Sequence, residues 1–483
     1  MYLKTAIFSV TLFALQHVVR IIYSLGYHLH FYQHYPGPCR QFPEIEFGSG
    51  NFYTLQDGTT FITSGLDMNV FSRRFQLHYT SQGVEGAIYV TNLNSSDAVL
   101  RKLDIVVDIT AGERGFSLET FHPHGISVWY DALEDHHSLF VVNHPTRADD
   151  RIEKFLFDPA SFTLHHVKSF TNTKLRSLHD VQAIGPDSFY ATNILHEHHS
   201  RFFMLLELFS LMPWSSVVLH SPDSGYTEVV SGLMSATGIV MSKCGTLFVV
   251  NHPTRADDRI EKFLFDPASF TLHHVKSFTN TKLRSLHDVQ AIGPDSFYAT
   301  NTLHEQHSRF FMLLELFSLM PWSSVVLHSP DSGYTEVVSG LMSATGIVMS
   351  KCGTFIYVML SLGSQILVYS RGEDNSLTLQ QVFPLYTHPD SAVLDPITGD
   401  LFIGAHPIAH QYINHVDNPA KHKAASQVLH LRLTEGNVTS ITELLYDDGT
   451  LISGSSAAVV YNNTLLVGSS VDKLVACTVN VPI

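Results

Sequence analysis

Apolar residues along this chain fall in short clusters separated by turn-forming stretches. Such clusters occupy residues 60–63, 87–91, 103–109, 126–129, 139–143, 181–184, 366–369, 401–403, 457–461 and 465–468. Groups of Asp, Pro, Ser, Thr and Gly, such as 221–225 and 395–400, lie between them. Short apolar runs bounded by turn residues read as strands, and long helical periodicities are few. The pattern predicts an all-β chain of repeated hairpins, a propeller or a sandwich.

Two segments depart from it. The N-terminus carries Lys4, then an uninterrupted apolar run from Ala6 to Leu15 and a mixed stretch as far as Tyr27. That is the make-up of a secretory signal, or of an uncleaved anchor, although Arg20 in its far half suits a membrane span poorly. Residues 1–27 are therefore expected to be a signal peptide or signal anchor, 28–38 a linker and 39–483 the β domain. The second segment, from Phe202 to Met212, is apolar, free of turn residues and too short to span a bilayer. It reads as a helix lying on the sheets, or as a lid or membrane-contacting helix. The stretches from Ala6 to Tyr27 and from Phe202 to Met212 are the candidate membrane or lipid contacts.

Residues 139–246 and 247–354 are near-identical copies of 108 residues, differing only at Ile194/Thr302 and His198/Gln306. Ordinary propeller repeats keep a pattern rather than an identity, so this is a recent duplication or a gene-model error. Both copies end in Cys-Gly-Thr followed by an apolar strand, so strand phase survives the join. Setting one copy aside leaves about six units of ~55 residues, and one copy is then about two blades. The copies also hold 15 of the 30 histidines, which removes histidine abundance as an argument for metal.

Composition narrows the classes. With 45% hydrophobic and 15% charged residues the chain is not disordered. A net charge of −15 and a pI near 6.0 argue against a nucleic-acid partner. Four cysteines exclude a Cys-rich zinc module. Sequons at Asn94, Asn437 and Asn462 fit a glycosylating compartment. The expected location is the secretory pathway, with the protein secreted or membrane-anchored.

No Gly-x-Ser-x-Gly elbow, His-Glu-x-x-His, Walker loop or dinucleotide glycine pattern is present. What stands out are histidines and carboxylates at strand ends: His122-Pro123-His124-Gly125, Asn143-His144-Pro145, His179-Asp180 and His388-Pro389-Asp390. A propeller can gather such ends around one channel.

HPHGIS, LFVVNHP, LHDVQAIGPDSFYATN, LDPITGDLFIGAHP and the closing LVAC resemble the serum paraoxonase/arylesterase family over nearly the whole span from Cys39 to Cys477. The resemblance implies a six-bladed β-propeller, with the duplicated block as about two extra blades in an expanded ring or extruded from it. It further implies a Cys39–Cys477 bridge, two calcium ions, and calcium-dependent hydrolysis of aryl esters and lactones with a histidine dyad activating water. The dyad falls on His124 and His144, with His252 the duplicate of the second. The structural-calcium positions fall on Asn51, Asp180 and the carbonyl of Ile126. The catalytic-calcium positions fall on Gly50, His179, Thr237, Asp390 and Ser391, of which only Asp390 keeps the family's residue. The duplicate copies are His287, Asp288 and Thr345.

Calcium takes six to eight hard oxygen ligands. Gly50 offers no side-chain oxygen and His179 offers nitrogen, so the catalytic ion is expected to bind weakly or not at all. Two functions compete: an ester or lactone hydrolase acting on a small molecule, and a non-catalytic, membrane-tethered chaperone or binding protein for membrane channels.

Overall fold

The computed structural model describes residues 2–29, 32–45, 48–49, 51–55, 57–65, 85–94, 99–107, 116–132, 134–145, 149–176, 178–193, 215–223, 225–233, 239–241, 246–251, 258–266, 271–304, 319–395, 398–418, 421–455, 457–469 and 472–480. Gly50, Thr237, His252 and the stretch from Phe202 to Met212 lie outside the described residues, as do the side chains of Asp390 and Ser391.

The chain divides into two compact units. Among the described residues, one unit, 35–281 and 451–482, holds five sheets, and the other, 1–34 and 282–450, holds three. Seven of these sheets have four strands and one has five. Most are meanders of sequential antiparallel strands, as in the sheet Leu178–Gly185, Ser188–Asn193, Ser215–Ser221 and Gly225–Leu233. Each such strand carries apolar residues on both faces, and Phe140, Val142, Ile152, Phe170, Phe189 and Val218 pack together between neighbouring sheets. That is the construction of propeller blades, in which sheets stack face to face. The eight sheets among the described residues, where six were expected of the family, match a duplication worth two blades.

The copies do not coincide with sheets. Residues 139–246 contribute three strands to one sheet, all four of the next, and the first strand, Ile239–Met241, of a third. The second copy then takes over inside strand Thr246–Asn251, which pairs directly with Ile239–Met241. One sheet is thus built from both copies.

Two local features depart from simple hairpins. The five-stranded sheet has a parallel edge, Asp104–Val107 pairing with Thr163–His166. In one sheet of the larger unit, strand Cys39–Gln41 adds to the edge of Leu474–Thr478, and Cys39 stands opposite Cys477. The disulfide implied by the resemblance forms there.

The smaller unit carries the N-terminal helix, Tyr2–Ser24, and a second helix, Ala409–Asp417. The first is held at its end by His410, whose ring stacks on Tyr27 and whose backbone N–H donates to the Leu25 carbonyl at 3.2 Å. Residues 32–34 run along strand Asn437–Asp447, with Tyr32 stacked on Tyr446 and His34 bridged to it. No described helix is long and apolar enough to cross a membrane.

Candidate functional site

The site grows from the close approach of two strand ends in the larger unit, Pro123–Asp131 and Leu178–Gly185. Gly125 makes this approach possible. A Cβ there would stand 2.7 Å from the Asp180 Cα and 2.8 Å from the His179 carbonyl, closer than any side chain tolerates. His124 and His179 therefore meet, their ring centres 4.9 Å apart. His144 joins from the start of the loop after strand His136–Asn143, with its ring centre 5.7 Å from that of His124.

Backbone and buried side chains hold these rings in place. Thr63 Oγ1 donates to the His124 carbonyl at 2.7 Å and also reaches the Asn51 carbonyl at 3.2 Å, tying the Asn51 strand to the site. Asn143 Oδ1 accepts the backbone N–H of His122 at 2.9 Å, while Asn143 Nδ2 donates to the buried Glu153 at 2.9 Å. The N–H of His144 donates to the His122 carbonyl at 3.1 Å.

Asp150 completes the cluster, and the sequence reading missed it. Its Oδ2 lies 3.0 Å from His144 Nδ1, with both side chains only 1% exposed. The same oxygen accepts the backbone N–H of Leu178 at 2.7 Å, one residue before His179. A buried carboxylate at Nδ1 favours the tautomer with its proton on that nitrogen and leaves Nε2 as the basic atom. The only sequence signal was a pair of aspartates, Asp149-Asp150, shortly after Asn143-His144-Pro145. Such a pair ordinarily reads as a solvated turn.

Burial sets the electrostatics. Desolvation, then His179 and His144, hold the His124 imidazole well below its usual range. Desolvation, with His144 beside it, lowers His179 to about 4. Both rings are neutral at physiological pH, each keeping one N–H donor and one acceptor nitrogen. Desolvation pushes the Asp180 carboxyl up, although water reaches its side chain.

Of the family-derived positions, the structure brings together His124, His144, His179 and Asp180, with Ile126 and the backbone of Asn51 beside them. Asp390, Ser391, His287, Asp288 and Thr345 belong to the other unit. There both oxygens of Asp288 accept backbone N–H groups, from Val289 at 2.8 Å and Ile347 at 3.0 Å. Thr345 is buried, with its hydroxyl 3.4 Å from the Pro389 carbonyl. These duplicate residues brace strands. That unit also holds a cavity of about 1040 Å³ between the N-terminal helix and the loops at Met320, Leu362 and Tyr386; His388 lines it.

The donor chemistry of the described cluster does not fit calcium. Three imidazoles occupy its centre, and their nitrogens are poor donors for an ion that takes hard oxygen ligands.

The chain belongs to the arylesterase family, whose model matches residues 35–246 and again 242–479. The double match follows the duplication, and membership bears out the β-propeller fold. Among relatives, serum paraoxonase/arylesterase 2 of Gallus gallus is 35% identical over 232 residues, 48% of this chain and 64% of that protein. Serum paraoxonase/arylesterase 1 of Mus musculus is 34% identical, over 48% and 63%. Serum paraoxonase/lactonase 3 of Mus musculus is 32% identical over 266 residues, 53% and 73%. The matches thus span somewhat under two thirds of the first two relatives. Among solved structures, Saccharomyces cerevisiae Sqt1 aligns over 92% of this chain and 98% of its own, with a TM-score of 0.51 at 9% identity.

Proposed function

We propose that this chain hydrolyses small esters or lactones, with His144 as general base, Asp150 as the carboxylate that orients it and His124 beside it. The observation that carries this is the buried Asp150–His144 pair at the family's dyad position. In this reading an imidazole takes a proton from water as the oxygen adds to the substrate carbonyl. The C–O bond to the leaving alcohol then breaks and the proton passes to that oxygen. Asp150 stabilises the transient imidazolium of His144. Where a lactone is the substrate, the leaving alcohol stays attached and one hydroxy acid results.

The secretory pathway is the proposed location. The Cys39–Cys477 bridge supports it, because such bridges persist in oxidising compartments. The exposed Leu12, Leu15, Val18, Val19 and Ile22 of the N-terminal helix support contact with a lipid surface.

The test is hydrolysis of an aryl acetate and a simple lactone by the purified full chain, with calcium and with chelator. Activity that survives chelation and falls about 10²–10⁴-fold in H144Q is the expected result. D150N is expected to lower kcat with little change in KM. The nitrogen-rich donor set also favours a second reading, a non-catalytic binding protein or chaperone at a membrane. Folded protein without hydrolytic activity would support that reading and overturn the first.

A further inference from the structure

Asn94 and Asn462 stand 368 residues apart in sequence and meet on the surface of the larger unit. Asn462 opens the two-residue turn between strands Ala457–Tyr461 and Thr464–Gly468, at a φ of +49° that asparagine tolerates well. Its Nδ2 donates to Asn94 Oδ1. Two residues on, Thr464 Oγ1 donates to the Leu93 carbonyl at 3.3 Å. The asparagine and the hydroxyl of one sequon are both clamped onto the start of another. Asn94 is itself fixed, with its Nδ2 donating to the Asp57 carbonyl at 2.6 Å and its backbone N–H to Asn92 Oδ1 at 2.8 Å. Both asparagines are exposed. Nothing in the histidine cluster uses this seam.

We propose that Asn94 and Asn462 form one attachment point for a single N-linked oligosaccharide, carried on Asn94, with Asn462 left as the bare amide that braces it. The proposal rests on the secretory-pathway reading above. In the transfer, Asn94 Nδ2 displaces the pyrophosphate from C1 of a lipid-linked oligosaccharide. An N–C bond forms, the C1–O bond breaks, one Nδ2 proton is lost and the lipid pyrophosphate departs. An amide nitrogen has two hydrogens, so Asn94 keeps one for the Asp57 carbonyl.

Two physical reasons select Asn94. It leaves the ribosome hundreds of residues before Asn462 does, when no C-terminal sheet exists to cover it. Once strand Leu474–Thr478 pairs with Cys39–Gln41, the seam engages both the Thr464 hydroxyl and the Asn462 amide that a sequon must present.

The experiment expresses the full chain in cultured animal cells and maps peptides after enzymatic deglycosylation in heavy-oxygen water, with intact mass in parallel. Label at Asn94 and none at Asn462 is expected. Ser96→Ala removes the first sequon but keeps both amides, so it should lose one glycan and leave Asn462 bare. Asn94→Ala removes the clamp and should move the label to Asn462. Asn437, in the other unit, reports independently whether the chain meets the transferase. Label at Asn437 without Asn94 overturns the proposal and leaves the secretory reading standing; label at none of the three overturns both. Two glycans on Asn94 and Asn462 of one molecule, or a bare Asn462 in Asn94→Ala, also overturns it.

Discussion

His179 is held neutral down to about pH 4 by burial and by His144, whereas an unfolded histidine titrates near 6.5. His124 is lowered still further from its usual range, mainly by desolvation. Both groups bind protons more weakly folded than unfolded, so their stability is fully present above about pH 6.5. It should be lost as pH falls from 6.5 toward 4, by at most ~3 kcal/mol for His179 and less because water reaches its half-buried ring. Asp180 acts in the opposite sense: its raised carboxyl favours the folded state at low pH, and that contribution is lost as pH rises through its folded value. Denaturant titrations across pH 4–7 are expected to show the net fall on acidification, and H179Q should flatten it. A stability that does not change over this range would mean that the rings are hydrated, contrary to their burial.

Among strands, the approach of Pro123–Asp131 to Leu178–Gly185 depends on one missing Cβ. Gly125→Ala is expected to cost about 1–3 kcal/mol, since the new methyl meets the Asp180 backbone rather than a flexible side chain. Thermal unfolding measures this, and any remaining hydrolysis should fall as the His124–His179 contact opens. Much of this level was legible in the chain. The run at 139–143 became strand His136–Asn143, and 457–461 became Ala457–Tyr461, because alternation and flanking turns are local signals. In the expected run at 103–109, Asp104–Val107 forms a strand on a parallel edge, which no local pattern announces, and residues 108–109 lie outside the described residues. Asp150 escaped for a related reason. An aspartate after a loop proline looks solvated until the fold brings Leu178 and His144 against it. The partners of His124 and His179 needed the family motif, since ring contacts between distant strands leave no periodicity.

For the molecule as a whole, the duplication is the feature to perturb. Deleting residues 247–354 joins Thr246 to Phe355 and recreates the existing Cys-Gly-Thr-Phe-Ile sequence at 352–356. The shortened chain is expected to fold cooperatively with its Cys39–Cys477 bridge formed, to lose two sheets, and to keep whatever hydrolysis the His124, His144 and Asp150 set supports. Circular dichroism, non-reducing peptide mapping and the esterase assay check this; a chain that fails to fold would show that the second copy has become indispensable. Because the copy boundary falls inside a sheet rather than between sheets, the block can be gained or dropped without inventing a new junction. The length of this protein is in that sense quantised: steps of 108 residues keep every side chain on its proper face, and a step shorter or longer by a single residue would turn the following strand inside out.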